Sequence, residues 1–231
     1  MHPTLLENHD RARNVRILMY VCIGLFVAEM LVIVNEIGIL QGDDSFLDKP
    51  NEIAIHDLAR AILAVGRLGL IILGAVFFVR WMARAFENYE RAGGVSVFTK
   101  SAVQWAFFIP FVNFYKPYRV VNEFWQGMQD QIFKETGKLP DYKNWIIGSW
   151  WALWIIGSIL SNISVRMSNT TSIDTLILSD YIEIVTNIIE IGAALLVIQF
   201  VGRYTLFEEE MSQLMMIQQL DGAGEGEEAP L

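Results

Sequence analysis

Four long apolar runs constrain this chain more than any other feature of it. They are Ile17–Leu40, Leu58–Val79, Trp145–Val165 and Tyr181–Val201, the first 24 residues long and the third 21. At about 1.5 Å per helical residue, each is long enough for the roughly 30 Å hydrocarbon core of a bilayer. The composition agrees: 53% of the residues are hydrophobic, only 19% are charged, and mean hydropathy is +0.36. A soluble domain breaks its apolar runs more often. A cleaved signal peptide is a poor account of the first run, which is too long, contains Glu29 and lacks a small-x-small ending. The expectation is an all-α integral membrane protein with four transmembrane helices. A polar N-terminus, 1–16, precedes a membrane bundle over 17–204, and 205–231 follow it.

The connecting segments differ in kind. Gln41–Asp57 reads as an acidic loop with Gly42 and Pro50. The second span continues as a polar helix, Arg80–Arg91, that Gly93-Gly94 should end. Val95–Val112 has a short apolar part broken by Gln104 and Pro110. Over 117–134, Val121, Phe124, Trp125, Met128 and Ile132 recur at helical spacing, opposite Asn122, Glu123, Gln126 and Gln129. That pattern predicts an amphipathic cytoplasmic helix suited to a membrane interface, to packing on the bundle, or to both. Trp145, Trp150, Trp151 and Trp154 crowd the start of the third span, as interfacial anchors do. Gly148 with Ala152, and Gly157 with Ser161, are small residues four apart that permit close helix approach. Arg166–Ser179 reads as a polar loop, and the end, DGAGEGEEAPL, as an acidic disordered tail on a short helix.

Charge decides the topology. If Val95–Val112 does not cross, one side carries Arg11, Arg13, Arg16, Arg80, Arg84, Arg91, Lys100, Lys116, Arg119, Lys134, Lys138, Lys143 and Arg203, against Lys49 and Arg166 on the other. If it does cross, the basic residues divide almost evenly. The positive-inside rule favours the first arrangement. It implies four crossings, both termini cytoplasmic in a cell membrane, and a re-entrant or interfacial segment over 95–112, which needs protein or water around its backbone.

The central stretch also carries a resemblance. Trp81, Arg84, Ala85 and Asn88, then Trp105, Ile109-Pro110, Asn113, Lys116-Pro117 and Glu123-Phe124-Trp125, resemble the bacterial membrane-protein family called domain of unknown function 4328. Gly148-Ser149-Trp150-Trp151-Ala152-Leu153-Trp154 resembles that family's Trp-Trp block. Lys116 departs from the pattern, where Arg is expected. The resemblance runs over roughly residues 58–204 and implies a multi-span membrane domain. It implies no activity, ligand or catalytic residue.

Ionisable residues inside the spans are the candidates for chemistry. Glu29 and Glu36 are seven apart on the first span, and Arg60 and Arg67 are seven apart on the second, so each pair shares a helix face. The fourth span adds Glu183, Asn187 and Glu190. With neighbouring spans antiparallel, depth matches Glu36, Arg60 and Glu183 at a shallow level, and Glu29, Arg67 and Glu190 about 10 Å deeper. An isolated charge at the centre of a span costs about 2.5–3.5 kcal/mol on insertion scales, so such groups turn inward and pair. Four acids against two arginines leave carboxyls that must take up protons or hold a cation. Asn187 and Asn35 are further candidate ligands.

Two functional readings stand side by side. In one, the cluster handles a proton, a cation or a small solute, in transport or sensing. In the other, it is structural glue in a non-catalytic scaffold whose cytoplasmic face binds a protein partner or a second copy. An intramembrane enzyme ranks third: no nucleophile–base order, phosphate loop or HExxH is present. His2, His9 and His56 lack metal-ligand spacing, and the lone Cys22 permits no intrachain disulfide. No cofactor or metal is expected. The net charge of −9 is local to one loop and the tail, so membrane lipids, not nucleic acid, are the expected partners. Arg80, Arg84, Arg91, Lys116 and Arg119 are placed for anionic headgroups.

Overall fold

The structure, a computed structural model, describes residues 4–42, 50–105, 114–141, 145–168 and 172–225. Among them every regular element is a helix: α1 His9–Gly42, α2 Pro50–Arg91, α3 Lys100–Trp105, α4 Lys116–Thr136, α5 Trp145–Met167 and α6 Ile173–Glu225. Stretches of α1, α2, α5 and α6 are long and apolar enough to cross a membrane. Large apolar side chains cover their outer faces: Leu31, Val65 and Ile71 are 69%, 73% and 60% exposed. Water would penalise such a surface, whereas lipid tails solvate it.

Three helices are longer than their apolar runs. α1 begins eight residues before Ile17, and α2 begins at Pro50, whose fixed φ and missing N–H suit a helix start. α6 begins at Ile173, inside the stretch expected as a polar loop, with Leu176 N–H bonded to Ser172 O and Asp174 in its first turn. It then runs on to Glu225, five residues into the segment expected to be disordered; 226–231 lie outside the described residues. Once a helix is nucleated each further residue adds a hydrogen bond, so polar flanks extend it until a breaker intervenes. Gly93 is such a breaker, with φ +88° just beyond the end of α2. Gly137, at φ +71°, closes α4 by donating its N–H to Phe133 O at 2.8 Å.

The chain divides into two compact units. The first gathers residues 1–16, 76–148 and 199–231. Its core is aromatic: Trp81 lies against Phe78, Phe124, Phe200 and Tyr204, with ring centroids 5.4–6.0 Å apart. Tyr204, fully buried, donates its hydroxyl to Ala85 O at 3.0 Å. α4 buries Val121, Phe124, Trp125, Met128 and Ile132, and with them Gln129, which the sequence places on the opposite side; its amide donates to Trp125 O at 3.1 Å and accepts the Asp141 N–H at 3.0 Å. Between α2 and α4, residues 95–99 are irregular and α3 follows; the rest of the expected re-entrant segment, 106–112, lies outside the described residues. Thr99 Oγ1 accepts the Ala102 N–H and so starts α3.

The second unit comprises 17–75 and 149–198, the membrane-length parts of α1, α2, α5 and α6. Its buried polar residues include Glu29, Ser164, Ser179, Asp180, Thr186 and Asn187.

Candidate functional site

Helical periodicity builds the site in the second unit. The seven-residue spacings put Glu29 and Glu36 on one face of α1, and Arg60 and Arg67 on one face of α2. The structure brings these together with α6 in two tiers. In one, Arg67 Nη1 donates to Glu29 Oε2 at 2.6 Å and to Asn187 Oδ1 at 2.9 Å, while Nη2 donates to Glu190 Oε2 at 2.5 Å. Three helices are therefore tied through one guanidinium, whose carbon also lies 5.1 Å from the Phe26 ring centroid.

In the other tier Arg60 is the centre. Its Nε lies 3.2 Å from Glu36 Oε2, and its Nη2 lies 3.2 Å from Glu183 Oε2 and 3.7 Å from Asp180 Oδ1. His56 Nε2 is 3.9 Å from the same Glu36 oxygen. Asp180 is a member that sequence reasoning missed, because it falls between the loop read as Arg166–Ser179 and the span read as Tyr181–Val201. It is 3% exposed, and its Oδ2 has no hydrogen-bond partner among the described residues. The signal was present: Asp180, Glu183, Asn187 and Glu190 follow a 3-4-3 helical spacing once α6 is allowed to start earlier. Asn35 is not part of the cluster; it lies on the exposed side of α1. Five carboxyl groups thus share two guanidinium groups.

Beside the cluster lies a cavity of about 520 Å³. Glu29, Arg60, Arg67 and Glu183 reach it, α2 contributes an apolar wall, and α5 contributes Ser161 and Ser164, with Ser168 just past its end. Gly157 of α5 is where that helix passes α6: a Cβ there would sit 3.5 Å from Glu190 Cγ. A Cβ at Gly148, another of the small residues expected at a helix contact, would meet nothing within 4 Å among the described residues.

A second polar centre, unforeseen in the sequence, lies in the first unit. Glu208 of α6 is 7% exposed and accepts hydrogen bonds from Asn8 Nδ2 at 3.1 Å and Asn88 Nδ2 at 2.6 Å. Asn88 also clamps Leu6, accepting its N–H and donating to its carbonyl, both at 2.8 Å. Burial pushes the Glu208 carboxyl up to about 7, against the hydrogen bonds from Asn88 and Asn8 and the charge of Arg84. Glu208 lies seven residues beyond the last apolar run. No spacing rule joins residues 120 and 200 positions apart.

The chain matches the family described as Domain of unknown function (DUF4328) over residues 44–206, more than half its length. It belongs to that family. No curated protein and no solved structure matches it. The DUF4328 match takes in Arg60, Arg67, Asp180, Glu183, Asn187 and Glu190, whereas Glu29 and Glu36 stand on α1, before it. The residues that carried the resemblance fall mainly in the first unit. Trp81 is core, Asn88 holds Leu6 and Glu208, and Pro117 is buried in the first turn of α4. Glu123 accepts from the Ser96 hydroxyl and the Val97 N–H, and Arg84 Nε lies 3.9 Å from Glu87. Trp105 is 58% exposed, while Pro110 and Asn113 lie outside the described residues. Trp150 and Trp151 are buried, their ring centroids 5.3 Å apart, and Trp151 stacks on Trp154 at 4.7 Å.

Proposed function

We propose that this protein handles protons together with a small solute inside the membrane, using the two-tier cluster and the cavity beside it. The observation that carries the reading is the excess of carboxyl groups over guanidinium groups in a cluster of which Glu29, Arg60, Arg67 and Glu183 reach a cavity. Ion pairs serving only to orient helices have no need of spare acids or of space beside them. Acids in excess in a low-dielectric site bind protons or cations, and ionisable residues within spans commonly mark proton and ion paths. In this reading the two tiers are successive stations, Glu29 and Glu190 at Arg67, then Glu36, Asp180 and Glu183 at Arg60. The chain lies in a cell membrane with four crossings. Both termini face the cytoplasm, α4 rests at the interface, and 95–112 does not cross. The basic bias and the gathering of 1–16, 76–148 and 199–231 into one unit support that arrangement.

Reconstitution into liposomes containing a pH-sensitive dye tests the proposal. Under an imposed potential the protein should admit protons faster than empty liposomes do, and Glu29→Gln with Glu190→Gln should abolish the difference. Proton entry no faster than in empty liposomes would leave the scaffold reading. One observation favours that reading: Arg67 is tied to three partners on two other helices, which is what polar glue between spans requires.

A further inference from the structure

The cavity beside the cluster has a chemical character that narrows what it can hold. Three of its four hydroxyl groups have already spent their hydrogens. Ser164 donates to Ser179 O at 3.2 Å, Ser168 to Val165 O at 3.0 Å and Thr186 to Ile182 O at 2.8 Å. What these three can still offer is lone pairs. Both Nη nitrogens of Arg67 are taken by Glu29, Asn187 and Glu190, and Arg60 is engaged by Glu36 and Glu183. Asn187, whose buried Nδ2 has no partner among the described residues, is not part of the cavity wall. The cluster is therefore rich in acceptors and in carboxylate. Asp180, almost wholly buried beside Arg60 and behind the cavity wall, has a second oxygen with no hydrogen-bond partner among the described residues.

An anion would add to an excess of negative groups. A bare metal ion is also a poor fit, since among the described residues no three acid, His or Cys side chains converge closely enough to ligate one. The remaining wall, with Leu63, Leu68, Ile71 and Val165, is apolar; Leu68, Ile71 and Val165 are 60–61% exposed, so the cavity opens there onto the outer apolar surface of the helices. A volume of about 520 Å³ is in the range of small-molecule sites, roughly 300–1,000 Å³.

We infer that the cavity takes a small organic ammonium ion with an apolar body. Its N–H groups are accepted by Glu183, Glu29 and the serine hydroxyl oxygens, and its body lies against Leu68 and Ile71 of α2. This rests on the reading of the cavity as a solute site and names the class of solute. A cation entering there competes with protons for the spare carboxyls, so its binding and proton release are linked.

Calorimetric titration of the purified full-length protein with four probes tests it: benzylammonium, benzyltrimethylammonium, benzyl alcohol and benzoate. Benzylammonium should bind saturably, at least tenfold tighter than its trimethyl form, which has no N–H to donate, and than the alcohol. Benzoate should not bind. Glu183→Gln should weaken benzylammonium at least tenfold. Leu68→Trp, which fills the cavity and leaves every acid in place, should abolish binding while the helical circular dichroism is kept. Binding of benzoate, or equal binding of the ammonium and the alcohol, would overturn the inference. So would the absence of benzylammonium binding. In that last case, liposomes that still admit protons through the protein would show that only the solute class was wrong, and liposomes that do not would remove the underlying reading as well.

Discussion

Glu208 puts a question at the scale of one residue: what a carboxyl does when amide hydrogens surround it and water does not. It is held by Asn8 and Asn88, and burial raises its pKa to about 7 from an ordinary value of 4.5. The sign follows from proton counting. Between those values the folded protein holds a proton on Glu208 that the unfolded chain has released, so this contribution to stability is complete below about pH 4.5 and is lost as pH rises through 7. Every tenfold difference in proton affinity between the folded and unfolded chain is worth about 1.4 kcal/mol, so a loss of a few kcal/mol is at stake. Glu208→Gln should flatten the fall in denaturation midpoint between pH 5 and 8 relative to the native protein. An unchanged slope would mean that Glu208 remains ionised throughout. This residue also marks a limit of the sequence. Glu29, Glu36, Arg60 and Arg67 are legible as a cluster because charge inside an apolar run is costly and a seven-residue spacing fixes a face. Glu208, Asn88 and Asn8 sit in polar flanks, where charge is cheap and no period distinguishes a buried residue from a solvated one.

Elements show the same division. Apolar runs mark where a helix must exist but not where it ends, and α1, α2 and α6 all run past their apolar parts. Depth in the bilayer ends the run; only a glycine, a proline or a lost partner ends the helix. The polar ends that result are not idle. Residues 76–91 of α2 and 199–225 of α6 supply much of the unit in which α4 is packed. α4 comes close enough to α2 for the Tyr89 ring to lie directly over Gly127, while the Tyr89 hydroxyl donates to Val95 O at 3.0 Å. A Cβ at Gly127 would overlap that ring, as would one at Gly94. Gly127→Ala should therefore destabilise the protein by about 1–3 kcal/mol despite the better helix propensity of alanine. Tyr89→Leu, a smaller neighbour, should return part of the loss in the double variant. A Gly127→Ala protein as stable as the native one in chemical denaturation would mean that α4 does not pack on Tyr89.

For the whole molecule, the proposed topology predicts which surfaces meet which side of the membrane. With Cys22 replaced by Ser, single cysteines at Ser96 and Asp141 should react with an impermeant thiol reagent from the same, cytoplasmic, side. Labelling from opposite sides would place a crossing between them. The deeper claim concerns what holds the second unit together. In lipid the apolar surfaces of α1, α2 and α6 have little preference for one another over acyl chains, so specific polar contacts carry more of their association. Arg67 makes three of them, to Glu29, Asn187 and Glu190. Arg67→Met keeps the length and apolar stem of the side chain and leaves two carboxyl groups without their counter-charge. Removing one partner of a buried pair costs about 3–5 kcal/mol, and removing the stranded acids as well should return most of it. The decisive measurement is the unfolding free energy, in a mild detergent, of Arg67→Met beside that of Arg67→Met with Glu29→Gln and Glu190→Gln. The single variant should lose about 3–5 kcal/mol, and the triple variant should recover more than half of that loss. A single variant as stable as the native protein would contradict this, because Arg67 would then not be the tie between α1, α2 and α6.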